Sequence, residues 1–252
     1  FELESGAGMV AGTGAGAATP LPRTLYAKLP CGDLATRTFA NAVGFWETEV
    51  AFCERLAHRV PIRVPRVYAV AQRGSRFVLL LENLHELEGA TLFLNRDMAR
   101  GTTIERARRV LRTFAALHAA FHDRAEAERE RLLPRRLHSY LAPGGRARMR
   151  ALNAAAIDRA HRAAPEIFTR AHAAIAHAGI AHWDALMDAW YAPPLTLIHG
   201  DSHLGNCFEY ATEDGPQIGL LDFQGIQWCR GMRDVQYFLV NSLEPERLAP
   251  DE

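Results

Sequence analysis

The sequence predicts an α+β fold in two lobes, a small β-rich N-terminal lobe and a larger helical C-terminal one. Three observations predict it. Short apolar or alternating runs bounded by turn residues fill the chain as far as about Leu84. From about Thr102 to Tyr191 the composition changes to long Ala/Arg/Leu stretches of helical character. After Pro193–Pro194, two strand-like runs flank the turn dipeptide Asp214–Gly215. Strands first and helices afterwards mark segregated elements rather than an alternating α/β chain. The expected division is residues 1–84 for a β-sheet plus one helix and residues 85–252 for the helical part, joined near Glu82–Leu84.

In order along the chain, a short strand-like start leads into the Gly/Ala-rich "SGAGMVAGTGAGAATP". "RTLYAKLP" alternates and ends at a proline, which reads as a strand. "NAVGFWETEVAFCERLAHR" reads as one helix, with Phe45, Phe52 and Leu56 at helical spacing. "RVPIRVPRVYAVAQRGSRFVLLLENL" gives two strands split by a turn at Gln72–Ser75. The helices follow, then the apolar run "LTLI", a loop, a hairpin, and a helix in "MRDVQYFLVNSL". There are no internal repeats.

A chain of 252 residues, 48% hydrophobic, is long enough to bury a sizeable core. No run of uncharged apolar residues reaches the roughly 18 needed for a membrane span. The start "FELESGAGMV" lacks the basic-then-apolar pattern of a secretory signal. Cys31, Cys53, Cys207 and Cys229 are scattered without zinc-ligand spacing and read as reduced thiols, so the expected location is cytoplasmic. A net charge of zero gives no field for nucleic acid.

Of 29 basic residues 28 are arginine, and Lys28 is the one lysine. A compact, strongly hydrated cation has been kept at a single place, on a strand. On the following helix, Glu49 lies within the apolar stripe while Glu47 and Glu54 point largely elsewhere. A carboxylate in that position needs a cation, and Lys28 is the obvious partner; a solvated place at the stripe's edge is the bland alternative.

The stretch "LTLIHGDSHLGNCFEY" carries the chemistry. Asn206 and Asp222 are equidistant from Asp214, so a hairpin turning there sets them side by side at its open end, with Asp201 close by. Two carboxylates and a carboxamide make an oxygen-rich site suited to Mg²⁺ rather than Zn²⁺. Three rivals exist. His199 and His203 have a spacing that binds zinc on a helix, but Gly200 and Gly205 argue against a helix there. Ser202 and His203 with an Asp evoke a hydrolase triad, but no G-x-S-x-G elbow is present. A plain turn with satisfied histidines leaves the Asn206/Asp222 alignment unexplained.

These residues resemble the signature of the aminoglycoside phosphotransferase and choline kinase-like family, the small-molecule branch of the protein-kinase-like fold. "HGDSHLGN" is similar to its H-G-D-x-H-x-G-N catalytic loop and "LLDFQ" to its metal-binding segment. "YAKLP" resembles the nucleotide-lysine strand, "ETEVAFCERLA" the helix bearing the glutamate, "VLLLENL" the hinge and "GMRDVQYFL" the later anchoring segment. Within the family the chain looks most like the branch of ecdysteroid-kinase-like proteins and the kinase-like domains fused to acyl-CoA dehydrogenases.

The resemblance implies an ATP- and Mg²⁺-dependent kinase, with GTP as the alternative donor, acting on a hydroxyl of a small-molecule acceptor. Asp201 would accept or orient the proton of that hydroxyl, and His203 would touch the γ-phosphate. Asn206 and Asp222 would hold Mg²⁺. Lys28 would contact the α/β-phosphates with Glu49 fixing it, and Glu82 and Leu84 would offer backbone groups to adenine. His199 would brace the loop and Asp234 would tie it to the helix behind. Three departures stand out. No convincing strand lies between Gly8 and Arg23 to complete a phosphate-covering hairpin. Gln224 stands where a glycine is usual. The chain stops at "LEPERLAPDE", where relatives continue, so a longer natural protein is expected.

From Asp123 to Asp188 there are 11 arginines against 8 acidic residues. That balance disfavours a polycationic aminoglycoside and suits a hydroxylated apolar or anionic acceptor, such as a sterol-like alcohol or a hydroxyacyl thioester. The competing reading from another class is a catalytically silent relative that binds nucleotide or ligand as a regulatory module. A protein kinase is disfavoured by the short interval between Asp222 and Asp234, which has no room for an activation loop.

Overall fold

The computed structural model describes residues 22–243. The strand-like start, the glycine-rich stretch and the C-terminal tail read from the sequence lie outside them. Strands β1 (Leu25–Lys28), β2 (Val67–Arg73) and β3 (Arg76–Glu82) form an antiparallel sheet in the order β1-β3-β2. Gly74, with φ of +59°, makes the tight β2–β3 turn, a backbone conformation glycine adopts at little cost. In this register Lys28 pairs with Leu79 and Leu25 with Glu82.

The single helix expected from Asn41 onward is two. Helix α1 (Leu34–Val43) ends where Gly44 turns left-handed at φ 75° and donates to Ala40 O, and α2 (Phe45–Arg55) starts from the same glycine. The apolar spacing of Phe45, Phe52 and Leu56 belongs to α2 alone, because Gly44 before it acts as a C-cap. Asp33 caps α1 by accepting from Thr36 N, a start signal the sequence displays. Helix α2 buries Thr48 to Cys53. The ring of Phe52 stacks on that of Phe223, their centroids 3.7 Å apart. Thr48 Oγ1 donates to Gln224 O at 2.6 Å. The helix bearing Glu49 is thereby fastened to the turn bearing Asp222.

A short strand β4 (Thr91–Leu92) and one turn of helix, α3 (Asn95–Met98), lead to α4 (Ile104–Phe121). Thr103 caps α4. The helix buries Ala107, Val110, Phe114, Leu117 and Phe121, a repeat of three and four residues that presents one apolar stripe to the core. Truncating the fully buried Phe114 to alanine would cost about 3–5 kcal/mol. Next come α5 (Glu126–Leu132), α6 (Gly145–Ala163), α7 (Arg170–Ala181) and α8 (Trp183–Trp190). A second, smaller core of Val43, Met149, Trp183 and Met187 joins the end of α1 to α6 and α8. Among the described residues no helix is long and apolar enough to cross a membrane.

The last third of the chain builds two nested ladders. Strand β5 (Thr196–Ile198) pairs with β8 (Gln227–Cys229), while between them β6 (Cys207–Thr212) pairs with β7 (Gly215–Leu220) and, on its other edge, with β4. Residues 199–206 and 221–226 are the segments left between the ladders, so they must lie against each other. The hairpin register differs by one residue from the expected one. Thr212 pairs with Gly215, placing the two-residue turn at Glu213–Asp214. Asn206 therefore stands opposite Leu221, whose N–H it receives at 3.0 Å, and not opposite Asp222. Gly215, at φ 98°, belongs to the strand side of the turn rather than to its centre. Helix α9 (Met232–Ser242) closes the chain and buries Asp234, Phe238 and Ser242 along one face. The whole is a mixed α/β chain with small antiparallel sheets, compatible with the kinase-like architecture that the resemblance implies.

Candidate active site

Lys28 ends β1, and its ammonium reaches 2.7 Å from Glu49 Oε2 and 2.8 Å from Asp222 Oδ1. The stripe position of Glu49 on α2 is realised, since the residue is only 4% exposed. Burial works against the Lys28 charge, but Glu49 and Asp222 outweigh it and hold the ammonium above its ordinary range. Burial pushes the Glu49 carboxyl up despite the Lys28 charge beside it. Asp222 adopts the left-handed region at φ 61°, ψ 69°, rare for a residue with a side chain, and this turns its carboxylate back toward Lys28.

These three residues line a cavity of about 300 Å³ that also includes Leu81, Glu82 and Leu84. The two hinge positions differ in what they can offer. The Glu82 N–H is used by Arg66 O at 2.8 Å, and its carboxylate pairs with Arg63. Leu84 opens a single 3₁₀ turn after Asn83, whose side chain accepts from His85 N.

Asp201 and Asn206 form the second cluster. Asn206 Nδ2 donates to Asp201 O at 2.8 Å and Oδ2 at 3.1 Å, while His203 Nε2 stands 3.6 Å from Asp201 Oδ1. Burial raises the Asp201 carboxyl, but His203 first, then His199 and Asn206, pull it below the usual carboxylate range. Asp201 is therefore ionised at neutral pH. His203 Nδ1 is buried with no partner among the described residues. Asp201 opens onto a further cavity of about 280 Å³, also lined by Gln224 and Gly225. The 222–225 turn thus lines both cavities, Asp222 facing one and Gln224 and Gly225 the other.

The loop is braced from behind. Asp234, with no exposed surface, accepts from His199 N at 2.8 Å, Gly200 N at 2.9 Å and His118 Nε2 at 2.9 Å. Burial acts to raise its carboxyl, and the His118 hydrogen bond leads the effects that bring it below the usual range. Ser202 Oγ donates to Asp234 O and Ser242 Oγ accepts from Leu204 N, both at 3.0 Å. The His199 ring stands 2.9 Å from Leu221 O through Nε2 and accepts from Asp201 N through Nδ1. Gly200, at φ +82°, lies so close to Gly225 that an added Cβ would sit 1.9 Å from Gly225 O.

These contacts dispose of two rivals. Ser202 is 1% exposed and committed to Asp234 O, so it is no nucleophile. His199 is spent on the backbone, and among the described residues no group of three or more His, Cys, Asp and Glu gathers as a zinc site requires. Asn206 and Asp222, the residues expected to hold Mg²⁺, supply oxygen donors of the kind a hard cation takes, although they too belong to no group of three or more His, Cys, Asp and Glu among the described residues. With its amide nitrogen committed to Asp201, Asn206 has its carbonyl oxygen left for a hard cation, and Asp222 has a second carboxylate oxygen beyond the one on Lys28. Such an ion completes its shell with phosphate oxygens and water.

Sequence reasoning missed Ser202 as a brace, Ser242, His118 and Thr48. Ser242 had a usable signal, being eight residues after Asp234 and four after Phe238 on one helical face. His118 and Thr48 had none, since their partners are 116 and 176 residues away.

A family model described as the ecdysteroid kinase-like family matches residues 23–250, nearly the whole chain. Among curated proteins none matches.

Proposed function

We propose, from the premise that the chain belongs to the ecdysteroid kinase-like family, that it transfers the γ-phosphoryl group of ATP to a hydroxyl of a small molecule. The family is one of small-molecule kinases related to the aminoglycoside and choline kinases. The observation that carries the reading is the Lys28 ammonium held between Glu49 and Asp222 in one cavity, with Asp201 opening on the next across the same turn. In this reading residues 1–84 and 85–252 are the two lobes, and the nucleotide lies between them.

Lys28 receives the α/β-phosphates, exchanging its contact with Asp222 for phosphate oxygens while Glu49 keeps it in place. Leu84 and the Glu82 carbonyl face the adenine. Asn206 and Asp222 would hold Mg²⁺, which when bound would offset the charge on the phosphates. Asp201, ionised and fixed by Asn206, orients the acceptor O–H. The acceptor oxygen bonds to the γ-phosphorus as the β–γ bridging P–O bond breaks. The electron pair leaves with the nucleoside diphosphate, and the hydroxyl proton passes to Asp201. A loose transition state demands little of the base, which suits a carboxyl held below its usual range. His203, 3.6 Å from Asp201 Oδ1, would touch the γ-phosphate.

The test is thermal unfolding with ATP and GTP, each with and without Mg²⁺, on the protein and on Asp222→Ala. Ligand at about 100 times its dissociation constant adds about 2.7 kcal/mol, a shift of roughly 5–10 °C for a chain of this size. The expected result is a Mg²⁺-dependent shift that Asp222→Ala loses. A folded protein that shifts with no nucleotide refutes the kinase reading. A shift that Asp222→Ala retains in full refutes the metal assignment.

A further inference from the structure

The cavity that opens on Asp201 must seat the acceptor if the phosphotransferase reading holds. Its volume of about 280 Å³ is just below the roughly 300–1,000 Å³ typical of ligand pockets. Phe45, Tyr140, Met149 and Tyr237 give it a largely aromatic wall. Among the described residues, the only carboxylate lining it is Asp201 and the only arginine is Arg233.

Arg233 differs from several half-buried arginines in its partners. Arg63 pairs with Glu82, and Arg106 and Arg109 with Glu209. Arg233 forms no ion pair within 4.0 Å among the described residues; its guanidinium lies 5.2 Å from the Tyr140 ring centroid and 4.6 Å from that of Trp190. Its Nη1 donates to Tyr191 Oη at 3.5 Å, and the Cys229 thiol lies against it as well. Two aromatic faces, a hydroxyl and a thiol position the fork, and none of them is a carboxylate. Asp201 shares the cavity without touching Arg233, which leaves an interval for a molecule with one end on each.

We propose that the acceptor is a small hydroxylated acid, its anionic group on the Arg233 fork, its hydroxyl at Asp201 and its body against the rings of Phe45 and Tyr140. This rests on the phosphotransferase reading. A planar fork with open donors recognises a carboxylate in two-point fashion, which a point charge does not. A cationic acceptor would meet Arg233 with like charge and only Asp201 to balance it.

Three matched probes test the assignment by thermal unfolding: 3-(hydroxymethyl)benzoate, its carboxamide, and 3-(hydroxymethyl)benzylamine. Each is run on the protein, on Arg233→Gln and on Arg233→Lys, with the Mg²⁺–nucleotide shift recorded on the same samples. The benzoate should bind tightest and the amine weakest. Arg233→Gln should lower apparent benzoate affinity by about tenfold or more, the worth of a charge-assisted hydrogen bond, and Arg233→Lys by less, with the nucleotide shift intact in both. Equal behaviour of the three probes on the unmodified protein, whether all bind or none does, overturns the proposal even where Arg233→Gln fails to fold. A benzoate preference without any nucleotide shift upholds the Arg233 site and refutes the kinase reading.

Discussion

Replacing Asp234 with asparagine isolates the brace behind the catalytic loop. The carboxylate receives three hydrogen bonds, from His199 N and His118 on Oδ2 and from Gly200 N on Oδ1. Asparagine can present its oxygen to one of these sides, and its NH₂ then faces a donor on the other. With the oxygen toward His199 and His118, the Gly200 N–H is stranded against a fully buried side chain, a cost of about 1–3 kcal/mol. The two remaining bonds lose their charge assistance, about 1 kcal/mol each. The sum is about 3–5 kcal/mol, readable as a shift in the midpoint of equilibrium urea unfolding at pH 7. A pH series adds a second check. The folded carboxyl of Asp234 lies below its unfolded value of roughly 3.9. Its stabilisation is therefore complete above that unfolded value and is lost as pH falls through the folded one. The gap between the two proteins should be flat from pH 7 to about 5 and close as the pH drops below about 4. A difference under about 1 kcal/mol at pH 7 would refute the count of hydrogen bonds. A gap that stayed constant to pH 2.5 would refute the role of the charge.

Lys28→Met should abolish transfer and leave Glu49 buried beside Asp222 without its cation, at a cost of about 3–5 kcal/mol measured by urea unfolding. The double variant Lys28→Met/Glu49→Gln should regain a good part of that stability while remaining inactive, and a double variant no more stable than the single one would show that the pair is not what holds α2. Gly200→Ala must relieve a Cβ 1.9 Å from Gly225 O and a φ of +82°. Strain of about 1–3 kcal/mol adds to a similar amount of overpacking, so the midpoint should fall by an amount comparable to that of Asp234→Asn; a neutral result would mean that the two backbones do not touch.

Much of the site was legible in the chain. A single lysine on a strand, a glutamate inside an apolar helical stripe, and a turn dipeptide between two strand-like runs each constrain position through geometry of a few residues. Lys28 meets Glu49 for that reason. The structure departs from the sequence pattern where a local signal spans a break or fixes a turn only to within a residue. Gly44 splits a helix whose apolar spacing continues on both sides. The hairpin turns one residue earlier than its Asp-Gly pair suggests, because Gly215 pairs with Thr212 rather than occupying the turn. Asp222 still reaches Lys28, because its left-handed backbone supplies the redirection that register does not. The Thr48–Gln224 and His118–Asp234 bonds join residues far apart in sequence, and no local pattern encodes such partners.

The brace made by Asp234, Ser202, Ser242 and the Gly200–Gly225 contact holds the backbone around Asp201 without using its carboxylate, and stabilises the fold whether or not anything is phosphorylated. Scaffold and chemistry are thus separable within one short segment. A descendant that abandoned catalysis could discard Asp201 or Lys28 at modest structural expense once Glu49 was neutralised, yet would still need the aspartate and both glycines to fold. Retention of "HG" and "RD" in such a pseudoenzyme would report ancestry alone, while the lysine and the oxygen donors would distinguish a working transferase from an inherited frame.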